Sequence, residues 1–252
     1  MTSSSWPVPA LLVLVLVLVL ALSTSGCAVW RIGKAGELAR LSEPLQHTPA
    51  DAALRLLIVG DSTAVGTGAS SPRTSLAGLL AQAYPRLRID NRAKDGATFA
   101  DVIGQLEGAT ERYDLVLVQA GGNDVIRLRG MDAVRADVER VTALARARAK
   151  DRVLLMPAGN VGNAPFFFPP VSWYMSSRAR SVHAFVREAA ARQQAVYVNL
   201  YKDKANDPFA QRPRELNAAD GLHPSDAGYR LWFDELMAQA QLAAVLAPAK
   251  AH

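Results

Sequence analysis

Cysteine is almost absent from this chain of 252 residues: Cys27 stands alone, which excludes an intrachain disulfide and a cysteine-rich zinc site. Histidine is nearly as scarce, with four residues, and that scarcity narrows the search for a catalytic base. The net charge is +5, yet no dense basic run interleaved with aromatics occurs. Basic residues lie instead in helix-like stretches such as Arg135 to Lys150, with Asp137 and Glu139 between them. That pattern describes a solvated helix face and argues against a nucleic-acid surface. No metal-ligating cluster and no phosphate-cradling glycine pattern followed by Lys-Ser/Thr is found, so neither metal nor cofactor is implied. Internal repeats are missing, and no obligate protein partner is evident.

Half the residues are apolar, enough to bury the core of one α/β domain. The first 30 residues stand apart from it. Ala10 to Leu22 is an unbroken run of Leu, Val and Ala, followed by Ser23-Thr-Ser-Gly-Cys27. Thirteen apolar residues suit the core of a secretory signal. Small residues before Cys27 resemble a bacterial lipoprotein processing site, with Cys27 as the lipid attachment point. An apolar helix continuing through Trp30 would instead serve as an uncleaved anchor, and a simple cleaved signal is the third reading. Arg31, Lys34 and Arg40 follow at once, which disfavours export of the C-terminal side. The expectation is a bacterial envelope protein, membrane-attached or secreted, whose membrane contact runs through this segment.

Residues 31–53 carry Pro44 and Pro49 and no sustained period, and read as a linker or a short helix plus linker. From residue 54 to 252, short apolar runs alternate with helical periods. Strands are expected at Leu54–Val59, Leu87–Asp90, Leu115–Gln119, Val153–Met156 and Val196–Leu200. Helices are expected at Ser75–Tyr84, Phe99–Glu107, Met131–Lys150 and Ser177–Gln194. A last helix shows an apolar stripe of Tyr229, Trp232, Phe233, Leu236, Met237 and Ala240. This alternation predicts a three-layer α/β/α sandwich around a five-stranded parallel sheet, with sites beyond the carboxyl ends of the strands.

Four short segments carry chemistry: Gly60-Asp61-Ser62, Gly96 in Asn91-Arg-Ala-Lys-Asp-Gly96, Gly121-Gly122-Asn123-Asp124, and Asp220-Gly221-Leu222-His223-Pro224. Ser62 follows a predicted strand end through a glycine, a position that exposes its hydroxyl above the sheet; alone, it reads equally as a turn serine. A serine hydroxyl needs a base to act as nucleophile. Of the histidines, His252 is terminal, His47 lies in the linker and His183 sits inside a helical period. His223 remains, in a loop that Pro224 keeps out of helix. Asp220, three residues earlier, reaches one ring nitrogen and leaves the other for Ser62. Gly96 also reads as a turn residue with positive φ.

In this order the segments resemble the SGNH (GDSL-type) hydrolase family, over residue 54 to the chain end. The resemblance implies a flavodoxin-like fold and a serine esterase or lipase acting through an acyl-enzyme on Ser62. It implies an oxyanion hole of the Ser62 and Gly96 N–H groups and the Asn123 amide. Asp61 and Asp124 read as local hydrogen-bond partners. A small-molecule or lipid ester is the implied substrate. An acyltransferase, a carbohydrate O-acetylesterase and a catalytically idle envelope module are the alternatives on the same fold.

The stretch from Ala164 to Met175 is also unusual. Pro165, Pro169 and Pro170 argue against a regular helix or central strand there. Phe166, Phe167, Phe168, Trp173 and Tyr174 are expected either to pack down as core or to wall a groove for a medium to long acyl chain, or to meet membrane lipid.

Overall fold

The computed structural model describes residues 30–250. The apolar run and Cys27 lie outside the described residues, as does His252.

Strand β1 (Leu54–Gly60) is apolar at nearly every position because both of its faces are covered. It forms the sheet centre with β2 (Leu87–Asn91), β3 (Tyr113–Gln119), β4 (Ala149–Leu155) and β5 (Val196–Tyr197), in the order β2-β1-β3-β4-β5, all parallel. Alternation divides the core. Leu56 and Ile58 point into one layer with Leu76, Leu80, Tyr229 and Leu236. Leu57 and Val59 point into the other with Val102, Val138, Val182 and Val186. This is the expected three-layer sandwich.

Strand β5 is shorter than expected. Met156 and Ala158 donate their N–H groups to the Val118 and Ala120 carbonyls, so the next donor toward β5 would come from Pro157, which has none. The ladder stops there, and the Asn199 N–H goes to the Gln239 side chain instead (2.7 Å). The long helix of residues 131–148 yields to strand at Ala149, which pairs with Tyr113.

One segment takes the short helix plus linker that the sequence allowed, and another departs from the reading of the sequence. Residues 30–41 are helical (α1), and the following chain lies along the sheet edge, where His47 and Ile89 exchange backbone hydrogen bonds of 3.1 and 2.8 Å. The stretch read as proline-broken is partly helix. The helix expected from Ser177 already begins at Val171 (Val171–Arg192), with Pro170 as its N-cap. Proline is tolerated there because the first-turn N–H groups have no intrahelical partner. Trp173 and Tyr174 therefore sit on a helix. Among the described residues, no helix is long and apolar enough to cross a membrane.

Candidate active site

Gly60 ends β1 at φ 153°, and a Cβ there would lie 1.9 Å from the Gln119 carbonyl oxygen. Only glycine lets the two strand ends approach this closely. The chain then turns into a short helix (Ser62–Val65) capped by Asp61, whose Oδ1 accepts from the Thr63 N–H (2.9 Å) and hydroxyl (2.7 Å). Asp61 is fully enclosed, and burial pushes its carboxyl up to about 6 against the pull of those hydrogen bonds.

The Ser62 hydroxyl donates to His223 Nε2 at 2.8 Å, and His223 Nδ1–H donates to Asp220 Oδ2 at 2.5 Å. The tautomer follows from the carboxylate, which only accepts. The second oxygen of Asp220 accepts from the N–H groups of Leu222 and His223, at 2.9 and 3.1 Å. Burial raises the Asp220 carboxyl, but the His223 hydrogen bond and charge, with those two amides, outweigh it and hold it below the usual range. Asp220 thus stays anionic and orients the imidazole.

Opposite the serine, Gly96 takes φ 75°. Neither its N–H nor that of Ser62 is engaged by another group among the described residues. Asn123 stands in the short helix α2 (Gly122–Ile126), and its Nδ2 donates to the Ala97 carbonyl (3.1 Å). An amide nitrogen carries two hydrogens, so one anchors the side chain and the other is free. Ser62, Gly96 and Asn123 all line one cavity.

Several supporting residues leave no mark in the sequence pattern. Arg178 is buried in the helix of residues 171–192, and its guanidinium donates to the carbonyls of Asp124, Val125 and Arg129. It clamps the C-terminal end of α2. Asp124, also buried, accepts from the Phe99 N–H (3.1 Å) and Arg129 (2.9 Å). Its role and that of Asp61 are local, as expected. Gln105, from the helix Phe99–Glu107, grips Gly60. His183 is buried away from the serine, with Nε2 bonded to the Ala158 carbonyl (2.8 Å) and its pKa pushed down to about 4 by burial.

An apolar cavity of about 270 Å³ opens beside Ser62, walled by Ala35, Ala39, Ile126, Leu200, Phe209 and Trp232. None of Phe166, Phe167, Phe168, Trp173 and Tyr174 lines it, which corrects the expected acyl wall. Phe167 packs onto the core, and the Phe166 ring meets it edge-on at 4.9 Å. Phe168, Trp173 and Tyr174 point outward. The physical reason lies at α1: Arg31 donates to the Pro165 carbonyl and stacks over Phe168. The proline-rich segment therefore holds the helix, and the helix, through Ala35 and Ala39, covers the cavity. Among the described residues, no group of three or more His, Cys, Asp or Glu converges as a metal site would.

The model of the GDSL-like lipase/acylhydrolase family matches residues 58–231. Among solved structures, a lipase/acylhydrolase from Enterococcus faecalis is 22% identical with a TM-score of 0.57, covering 79% of this chain and 100% of that one. TesA is 22% identical with a TM-score of 0.59, covering 76% of this chain and 99% of its own. An acetylxylan esterase from Geobacillus stearothermophilus is 21% identical with a TM-score of 0.54, covering 75% and 96%. No curated protein matches the chain.

Proposed function

The chain belongs to the GDSL-like lipase/acylhydrolase family, and we propose that it hydrolyses carboxylic esters through an acyl-enzyme on Ser62, with a medium to long acyl chain favoured. The observation that carries this reading is the unbroken run from Asp220 through His223 to Ser62, at 2.5 and 2.8 Å.

Ser62 Oγ attacks the ester carbonyl while His223 Nε2 takes its proton. The imidazolium that forms is balanced by Asp220, and the oxyanion meets the Ser62 and Gly96 N–H groups and the Asn123 amide. His223 then protonates the leaving alcohol. Water enters, gives its proton to His223, and releases the acid. The apolar cavity under Ala35 and Ala39 supports the acyl preference, because a chain laid there leaves water.

Hydrolysis of p-nitrophenyl esters by the full chain, set against Ser62→Ala, tests the reading together with labelling by a fluorophosphonate. Labelling of Ser62 and loss of turnover in the variant are expected. Equal rates, or an unlabelled wild type, would reject it in favour of an idle binding module. Product analysis with alcohol acceptors present separates hydrolase from acyltransferase.

A further inference from the structure

Gly96 lies between two spaces. On one side is the apolar cavity. On the other is an open groove of about 890 Å³ that shares Asp95 and Gly96 with it. Three cations, Arg92, Lys94 and Arg127, line the groove.

Arg127 is the closest of them to the chemistry. It follows α2 as its C-cap, and its N–H donates to the Asn123 carbonyl at 2.9 Å. Its backbone is thereby tied to the helix that carries Asn123. Its Nη2 comes within 2.8 Å of the point that a Cβ on Gly96 would occupy. The guanidinium therefore stands next to Gly96.

Arg127 is also unspent. It is exposed, and among the described residues the side chains of Arg92, Lys94 and Arg127 enter no ion pair and no hydrogen bond. Two residues on, Arg129 shows the contrast, bonded to Asp124 (2.9 Å) and Asp137 (2.8 Å). The groove has two carboxylates, each hydrogen-bonded to neutral donors, and the Arg127 charge reaches Asp101 without a close ion pair. Asp95 accepts from the Thr67 hydroxyl at 2.6 Å, and Asp101 accepts from the Thr98 N–H and hydroxyl at 2.8 and 2.7 Å. An unpaired guanidinium offers a planar fork of donors suited to phosphate.

We propose that Arg127, supported by Lys94 and Arg92, is a subsite for a phosphate group on the alcohol side of the ester, while the acyl chain takes the apolar cavity. This rests on the acyl-ester reading of Ser62. The preferred substrates are then acyl esters of a phosphorylated alcohol, with the two ends sorted by the two spaces that meet at Gly96.

The test uses the full chain and three hexanoyl esters that differ only in the alcohol: glycerol 3-phosphate, glycerol and choline. Wild type is expected to favour the phosphate ester over the glycerol ester by about tenfold in kcat/KM, the scale of one charge-assisted hydrogen bond at a partly exposed site. The preference falls as salt rises. In Arg127→Ala the ratio drops by about tenfold, chiefly through KM. In Arg127→Glu the choline ester overtakes the phosphate ester. A ratio that neither variant moves would overturn the proposal.

A binding arm stands apart from turnover. Hexyl phosphate and hexanol are titrated into Ser62→Ala, with and without Arg127→Ala, by calorimetry. Tighter binding of hexyl phosphate that Arg127→Ala weakens about tenfold supports the subsite even if no ester is cleaved. Equal binding of the two ligands, or equal binding to both proteins, rejects it even if Ser62 proves to be the nucleophile.

Discussion

Gln105 holds Gly60 by both polar groups of its side chain: its Nε2–H donates to the Gly60 carbonyl (2.9 Å), and its Oε1 accepts the Gly60 N–H (2.8 Å). The strand end two residues before Ser62 is thus fixed to a helix on the sheet face. The same carbonyl accepts the Lys94 N–H at 3.1 Å, which ties the Gly96 turn to the Ser62 turn.

Gln105→Leu keeps the volume and removes both bonds, leaving the buried Gly60 N–H without its partner while the Gly60 carbonyl keeps only the Lys94 N–H. A loss of about 2–3 kcal/mol in unfolding free energy is expected, measured by urea denaturation. The turnover of p-nitrophenyl butyrate should fall as well, because Ser62 loses its fixed distance to His223. Unchanged stability and rate would show that Gln105 is dispensable.

Asp220→Asn preserves the side-chain shape but takes away the charge that orients and balances His223. Turnover should fall about 10³–10⁴-fold, while thermal unfolding moves little in comparison. A variant within tenfold of wild type would mean that another group orients the imidazole.

His183 predicts a pH effect. Burial holds its pKa at about 4 against an ordinary 6.5. Between those values the unfolded chain binds a proton that the folded chain refuses, so this contribution to stability falls as pH drops from 6.5 to 4 and is level outside that window. The span is worth about 3 kcal/mol. Asp61 acts in the opposite sense: its carboxyl, raised to about 6, takes up a proton first in the folded chain and favours folding as pH falls. In wild type the His183 and Asp61 contributions oppose each other. His183→Gln removes the His183 contribution and leaves the carboxyls as they are, so the variant should gain on wild type by about 3 kcal/mol between pH 7 and 4, read from denaturation midpoints. A constant difference across that range would sink the assignment.

Acyl-chain preference separates the two possible walls. Each methylene placed in the cavity should raise kcat/KM close to fourfold, from about 0.8 kcal/mol of burial, until the space is full. Ala39→Trp fills the cavity from α1 and should shift the optimum toward acetyl. Phe167→Ala with Phe168→Ala should leave the slope unchanged, since neither ring reaches the cavity. A flat wild-type profile would remove the acyl role of this space.

The sequence by itself determined the sheet and the reacting groups. Apolar runs covered on both faces marked β1 and β3, and the i, i+3 spacing of Asp220 and His223, locked by Pro224, marked the base and its acid. Both signals are local: a strand's periodicity and a loop's backbone restriction are properties of a few adjacent residues. Asp61 and Asp124 were legible as loop supports for the same reason. Only the tertiary structure decided what surrounds that chemistry. Gln105 meets Gly60 across 45 residues, and Arg178 reaches Val125 across 53; neither side chain belongs to any short pattern. The cavity wall came from Ala35, Ala39 and Trp232, which read as linker and core stripe, while the aromatic segment that seemed made for the task spends its rings on the core, on Arg31 and on solvent. Composition tells which residues are apolar, but which apolar face meets which other is settled by the packing of whole elements, and that depends on the entire chain at once.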